Sequence, residues 1–140
     1  MGWHDAKVWG MLANPSKWEY LFDLDYIFQW VQLEGGEEYY QFWMAPVTMV
    51  FENAYDVKIN IQSPQGEIEV ADLYMEDALK TENGEHTEHT FRFVCQEGEI
   101  TLRATGYKMY VRNNPMLCQS QSIGYQERGG VNFGRELNAL

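Results

Sequence analysis

An alternating run of large side chains spans residues 18–31, which read WEYLFDLDYIFQWV. Its even positions are all aromatic residues or leucine: Trp18, Tyr20, Phe22, Leu24, Tyr26, Phe28 and Trp30. Successive side chains of a strand point to opposite faces, so the run predicts one long β-strand that buries an aromatic face. The other face carries Glu19, Asp23, Asp25 and Gln29. A helix would place Asp25 in the middle of its apolar stripe, which excludes the helical alternative.

Turn signals divide the rest of the chain into short segments rich in aromatic and β-branched residues. Strands are expected near 6–12, 39–45, 47–51, 57–62, 68–75, 91–95 and 100–111. Residues 63–66 and 96–99 have the composition of hairpin turns. The long strand at 18–31 exceeds the usual strand length, so we expect a bend or a bulge within it.

Several residues are expected to interrupt this pattern. Pro46 predicts an edge or a kink because proline lacks the ladder donor, and Gly106 predicts a bulge or a close backbone approach. The polar stretch 76–88 is expected to be a loop with one helical turn near 77–80, and a short final helix is expected around 135–140. The sequence therefore predicts one all-β, mainly antiparallel domain over residues 1–140, a sandwich or barrel of about eight strands with at most one or two short helices.

Charge is distributed unevenly along the 140 residues, whose net charge is -11. Residues 1–100 hold nineteen acidic and five basic side chains, whereas residues 101–140 hold two acidic and five basic ones. An acidic body of this size repels nucleic acid and anionic membranes, and it attracts a basic protein partner. The amino-terminal sequence resembles no secretion signal, and no apolar run approaches a membrane span, so a cytoplasmic location is expected.

Acidic residues on and just after the long strand are the predicted partner-binding face. They are Glu19, Asp23, Asp25, Glu34, Glu37 and Glu38. No catalytic residue, metal ligand or cofactor is predicted, because no GxSxG, phosphate-loop, dinucleotide-binding or HExxH pattern occurs. Cys95 lies in an alternating segment and is expected to be a small buried hydrophobe.

Two alternative functions use other residues. A metal-dependent hydrolase would require Asp23 and Asp25 to meet His86 and His89 in space. A small-molecule or carbohydrate-binding barrel would use aromatic residues outside the long strand, for which the candidates are Trp3, Tyr39, Tyr55 and Tyr125.

Four segments also resemble a known group of sequences. LFDLDYIFQWV (21–31), YQFWMAPVTMVFENAYDVKI (40–59), GEITLRATGYKMYVR (98–112) and QERGG (126–130) are similar to a family of small uncharacterised bacterial domains. In size, acidity and β content the chain more loosely resembles immunity proteins that neutralise secreted bacterial toxins. The resemblance implies a bacterial origin and a compact β fold, and it implies no catalytic residues. The leading hypothesis is therefore a non-enzymatic protein-binding domain, in its sharpest form an immunity-type protein.

Overall fold

The computed structural model describes residues 4–32 and 40–137, which are dominated by β-strands. The strands are β1 Ala6–Asn14, β2 Glu19–Gln32, β3 Tyr40–Glu52, β4 Tyr55–Ile61, β5 Ile68–Lys80, β6 Thr87–Cys95, β7 Gly98–Ala104, β8 Gly106–Val111 and β9 Met116–Cys118. A 3-10 turn spans Pro15–Lys17, and a single helical turn, α1, spans Tyr125–Arg128. All strand pairs among these residues are antiparallel and belong to one sheet, which confirms the all-β prediction.

The sheet closes on itself because β3 continues into β4, and β7 continues into β8, across a shared corner. Glu52 of β3 pairs with Gly106 of β8, and Tyr55 of β4, three residues after Glu52, pairs with Arg103 of β7, three residues before Gly106. Thr105 lies in this corner and donates its N–H to the Glu52 carbonyl at 3.0 Å. Since β7 continues through β6 and β5 to β1, β2 and β3, the ring of pairs is complete. Of the two architectures expected, the chain therefore adopts the barrel.

Aromatic rings fill the barrel interior. Phe22 lies 4.7 Å from Phe93, and Phe51 lies 5.1 Å from Phe91, measured between ring centroids. A barrel with so few strands is narrow enough for side chains to fill it. The prediction that the even positions of the long strand form the core is confirmed for Phe22 and Leu24. It is wrong for Trp18, which is 62% exposed.

The far half of β2 projects beyond the barrel. Pairing with β1 begins at Val8, opposite Leu24, whereas pairing with β3 continues as far as Gln32. We call residues 26–32, 40–45 and 116–118 the arm; β9 is its third strand. The expected irregularity in the long strand is confirmed, because the β2–β3 register shifts between Ile27 and Gln29.

Three local predictions are wrong. Strand β4 pairs with β7, so residues 57–62 and 68–75 do not form a hairpin. Residues 76–80 continue β5 as a strand, and the turn before β6 is confined to 81–86. No helix is present at 135–137, while residues 138–140 lie outside the described part of the chain.

The other local predictions are confirmed in part. The hairpin at 96–99 is present, with Cys95 paired to Gly98. Pro46 lies inside β3 rather than at its end, and its carbonyl accepts the Arg112 N–H. N–H and C=O of one strand residue point to the same side, so the missing donor of Pro46 faces the break between β8 and β9. Gly106 begins β8 at the corner, and the close backbone approach expected there is wrong, because apart from its chain neighbours no atom lies within 4 Å of the position that a Cβ would occupy.

Residues 119–137, which we call the strap, cross the outer face of β1–β3. Gly10 of β1 leaves room for them, because a Cβ there would meet Val131 and Phe133 at about 3 Å. Thr48 of β3 donates its hydroxyl to the Gly134 carbonyl at 2.6 Å. In the residues described, no helix has the length and apolar character needed to cross a membrane.

Gly98 tests the geometry of the β6–β7 turn. Its φ is +149°, and a Cβ would overlap the Asn60 carbonyl of the neighbouring strand. We expect Gly98→Ala to lower the free energy of unfolding by about 1 to 3 kcal/mol. Gly106→Ala, with open space around it, is the control and should change this free energy by less than about 1 kcal/mol. Urea unfolding followed by circular dichroism measures both; equal effects would contradict the close approach at Gly98.

Candidate functional site

Asp23 and Asp25, the centre of the predicted acidic face, are buried. Both have 0% exposure, so the prediction that they present charge to a partner is wrong. The reason is the strap, which covers this face of β2 and supplies Arg128, also fully buried. Residues two apart on a strand share a face, so a single guanidinium reaches both carboxylates.

Arg128 and Arg112 neutralise the two carboxylates. Arg128 Nη2 lies 2.6 Å from Asp23 Oδ1, and Arg128 Nε lies 2.9 Å from Asp25 Oδ1. Arg112, at the end of β8, places Nη2 2.8 Å from Asp23 Oδ1 and Nη1 2.9 Å from the Thr48 hydroxyl. Two negative and two positive groups therefore balance inside the protein.

Neutral donors complete the shell around the carboxylates. Trp9 Nε1 donates to Asp25 Oδ2 at 2.8 Å, and the main-chain N–H of Ile123 donates to the same oxygen at 2.9 Å. Asn132 donates its N–H to Asp23 Oδ2 at 2.9 Å. Burial opposes the charge on Arg128, but the hydrogen bonds and charges of the two aspartates outweigh it and raise the pKa of Arg128. A closed, saturated cluster of this kind leaves no free oxygen for substrate or metal, and we assign it a structural role.

The remaining predicted acidic residues fall into two groups. Glu19 is largely buried and accepts a hydrogen bond from Arg135 Nη2 at 2.7 Å. This hydrogen bond lowers the pKa of Glu19, which therefore belongs to the attachment of the strap. Glu34, Glu37 and Glu38 lie outside the described residues.

The metal-dependent alternative is not supported by the geometry. Asp23 and Asp25 are committed to arginines, whereas His86 lies in the exposed turn between β5 and β6. His89 lies on β6 with its ring 6.2 Å from that of Phe91. Among the residues described, no group of three or more His, Cys, Asp or Glu side chains could hold a metal ion.

Cys95 has the environment predicted for it. It is 7% exposed and belongs to the barrel core. Burial raises the pKa of its thiol to about 11. The thiolate needed for nucleophilic or redox chemistry is therefore scarce at neutral pH.

The arm offers a different surface, made of exposed apolar side chains. One of its faces is covered, because Ile27, Phe42 and Met44 pack with Ile123 of the strap. The other face exposes Phe28 (37%), Trp43 (39%) and Leu117 (46%), which we call the arm patch. Trp43 pairs across the ladder with Leu117 on one side and with Gln29, next to Phe28, on the other. The three residues therefore lie on neighbouring strands at the same level of the arm.

Comparison with known proteins gives no family: neither the protein-family models nor the curated proteins contain a match to this sequence.

Sequence reasoning missed the residues that complete the cluster and those that form the arm patch. Arg112, Arg128 and Arg135 pair with Asp23, Asp25 and Glu19, so the basic excess of residues 101–140 was the available signal. The even-position pattern assigned Phe28 to the core. The pattern could not show that β1 pairs with β2 only as far as Leu24 and therefore does not cover Phe28.

Replacing Arg128 tests the cluster. Arg128→Met leaves Asp25 buried without an arginine partner and Asp23 with Arg112 alone, so we expect a loss of about 3 to 5 kcal/mol in the free energy of unfolding. We also expect the strap to become susceptible to limited proteolysis. Arg92→Met removes an arginine whose ion pairs lie at the surface, and it should leave the urea midpoint nearly unchanged. Comparable midpoints for the two variants would contradict the assigned role.

Proposed function

We propose that this chain is a cytoplasmic, non-enzymatic domain that binds a basic protein partner through the arm. The arm patch is the observation that carries the proposal, since Phe28, Trp43 and Leu117 remain exposed together on a surface that no other described element covers. Large aromatic side chains are enriched at the centres of protein interfaces, where their burial supplies much of the binding energy. The other face of the arm packs against Ile123 of the strap, so the arm is formed before a partner arrives, which reduces the entropy lost on binding.

Charge supports a basic partner. The segment 33–39, which joins the two long strands of the arm, contains Glu34, Glu37 and Glu38 and no basic residue. The whole chain has a net charge of -11. An apolar centre beside an acidic segment suits a partner with an apolar contact flanked by lysines or arginines, and the long-range attraction accelerates association. Of the six acidic residues predicted to bind a partner, Glu34, Glu37 and Glu38 remain in this proposal.

Neutralisation of a basic toxin is the sharpest form of this proposal. Enzymes that act on nucleic acids present cationic grooves to phosphates, and a carboxylate-rich segment can occupy such a groove. The sequence resemblance to immunity proteins supports this form. The buried cluster then serves the function indirectly, because it attaches the strap on which Ile123 supports the arm.

Trp43 tests whether the arm patch binds. The immobilised protein is used to capture partners from lysate at low salt, and the recovered protein is then purified and titrated. We expect Trp43→Lys to weaken the affinity for the recovered partner at least about tenfold, because a charge replaces the central aromatic contact. Leu12→Lys is the matched control: Leu12 is 44% exposed on β1, and the change in charge is the same. Equal affinity for the two variants would reject the arm as the binding surface.

The acidic segment is tested through kinetics. We expect the triple variant Glu34→Gln, Glu37→Gln and Glu38→Gln to lower the association rate constant by about tenfold at low ionic strength and to flatten its salt dependence. Glu67→Gln, Glu85→Gln and Glu136→Gln remove the same number of charges elsewhere and serve as control. Surface plasmon resonance across a salt series measures both; an association rate that ignores salt in the unmodified protein would refute electrostatic attraction.

A further inference from the structure

Backbone strain is concentrated at the end of the barrel where β2 begins. Five non-glycine residues in the described chain have positive φ, and four of them are Trp18, Asn53, Asp56 and Asp77. Asn53 and Asp56 flank Tyr55 in sequence, and the Asp77 carbonyl accepts hydrogen bonds from Arg103 at 3.2 Å. Asparagine and aspartate tolerate this conformation, whereas a bulky residue such as tryptophan is a real outlier.

Trp18 adopts the left-handed conformation although its side chain is mostly exposed. Its φ is 55° and it is 62% exposed. Its carbonyl accepts the Ala54 N–H at 2.7 Å, which fixes the backbone beside Tyr55. Strained residues held by their surroundings are often found at ligand sites. The backbone thus holds an indole at the surface where the packing of the protein does not require one.

Trp18 and Tyr55 line the same cleft. Its volume is about 320 Å³, within the usual range for small-molecule sites. The cleft is lined by Trp18, Tyr55, Lys80, Thr81, Glu82 and Glu88. Two exposed aromatic rings thus lie beside hydroxyl, carboxylate and ammonium groups.

Hydrogen bonds hold the polar side of the cleft in place. The Tyr55 hydroxyl donates to Glu88 Oε1 at 2.5 Å, and Arg103 Nε donates to the same oxygen at 3.2 Å. Arg103 and Glu88 side chains are each only 14% exposed, and Arg103 Nη1 also donates to the Thr90 hydroxyl at 2.8 Å. The orientation of the Tyr55 ring is therefore set before any ligand arrives, which is what a preorganised site requires.

We infer that this cleft binds a neutral, hydroxyl-rich ring such as a pyranose sugar. The apolar face of such a ring stacks on Trp18 and Tyr55, while its hydroxyls donate to Glu82 and Glu88 and accept from Lys80. This site is separate from the arm patch, since Trp18 precedes β2 and the arm begins at residue 26. It does not depend on the protein-binding proposal.

Charge balance selects a neutral ligand over a charged one. The lining carries one ammonium, Lys80, and two carboxylates, Glu82 and Glu88. Arg103 lies outside the lining but bonds to Glu88 and brings the sum of these four charges to zero. A phosphate would face two carboxylates, and a quaternary ammonium would face Lys80. An uncharged ligand with many hydroxyl groups avoids both penalties and can hydrogen-bond to the polar groups of the lining.

The test is a binding screen of neutral oligosaccharides. Saturation-transfer difference NMR with cello-, chito- and malto-oligosaccharides identifies binders, and calorimetry gives their affinity. We expect at least one series to bind with a Kd of about 1 mM or tighter. Trp18→Asn removes the indole while asparagine keeps the left-handed backbone, and we expect it to weaken binding at least about tenfold. Tyr55→Phe keeps the ring but loses the hydrogen bond to Glu88, so we expect a smaller loss of sugar affinity than for Trp18→Asn.

Controls separate this site from the arm. Trp43→Lys should leave sugar affinity unchanged, and Trp18→Asn should leave capture of a protein partner unchanged. Circular dichroism and the thermal midpoint confirm that each variant is folded. Saturable binding that Trp18→Asn abolishes supports the site. The inference is overturned if no series binds, if binding survives Trp18→Asn, or if tetramethylammonium binds at the cleft and the sugars do not.

Discussion

The structure depends on the burial of two carboxylates on the outer face of β2. A buried charge costs several kcal/mol unless it is paired and hydrogen-bonded, so Asp23 and Asp25 require partners from elsewhere in the chain. Arg112 arrives at the end of β8 and Arg128 at the end of α1. The path of residues 112–137 is consistent with this requirement. The strap must cross β1–β3 to bring Arg128 to the aspartates, and it covers the outer face as it does so.

Strand β2 consequently lies in three different environments. Its first half packs Phe22 and Leu24 into the barrel, and its outer face holds the ionic cluster. Its second half leaves the barrel and forms the arm with β3 and β9. The two surfaces to which we assign binding lie at opposite ends of this strand, Trp18 before its first residue and the arm patch at its far end. One strand, paired with β1 and β3, thus connects both surfaces while keeping them apart.

The sequence predicted well what depends on local periodicity and poorly what depends on distant pairing. Alternation in 18–31 identified the strand and the core positions Phe22 and Leu24, and the length of the strand predicted its irregularity. The same alternation treated Asp23 and Asp25 as solvent-facing, because a polar residue on a strand indicates water unless its partner is known. Their partner Arg128 lies about a hundred residues away in an irregular segment. The exposure of Trp18 and Phe28 was missed for a related reason, since periodicity gives the face of a strand but not how far its neighbours extend.

The distance in sequence between the aspartates and Arg128 also sets an order of events during synthesis. Asp23 and Arg128 are separated by 105 residues, so at ordinary translation speeds the ribosome makes the arginine about 5 to 20 s after the aspartate. During that interval the nascent chain can pair β1 with β2 and β3, but Asp25 has no arginine until Arg128 is made, and Asp23 has none until Arg112 is made shortly before it. We expect unpaired carboxylates on the outer face of β2 to discourage association of the incomplete sheet with other nascent chains. On this argument the same two aspartates hold the finished fold together and limit aggregation of the unfinished one.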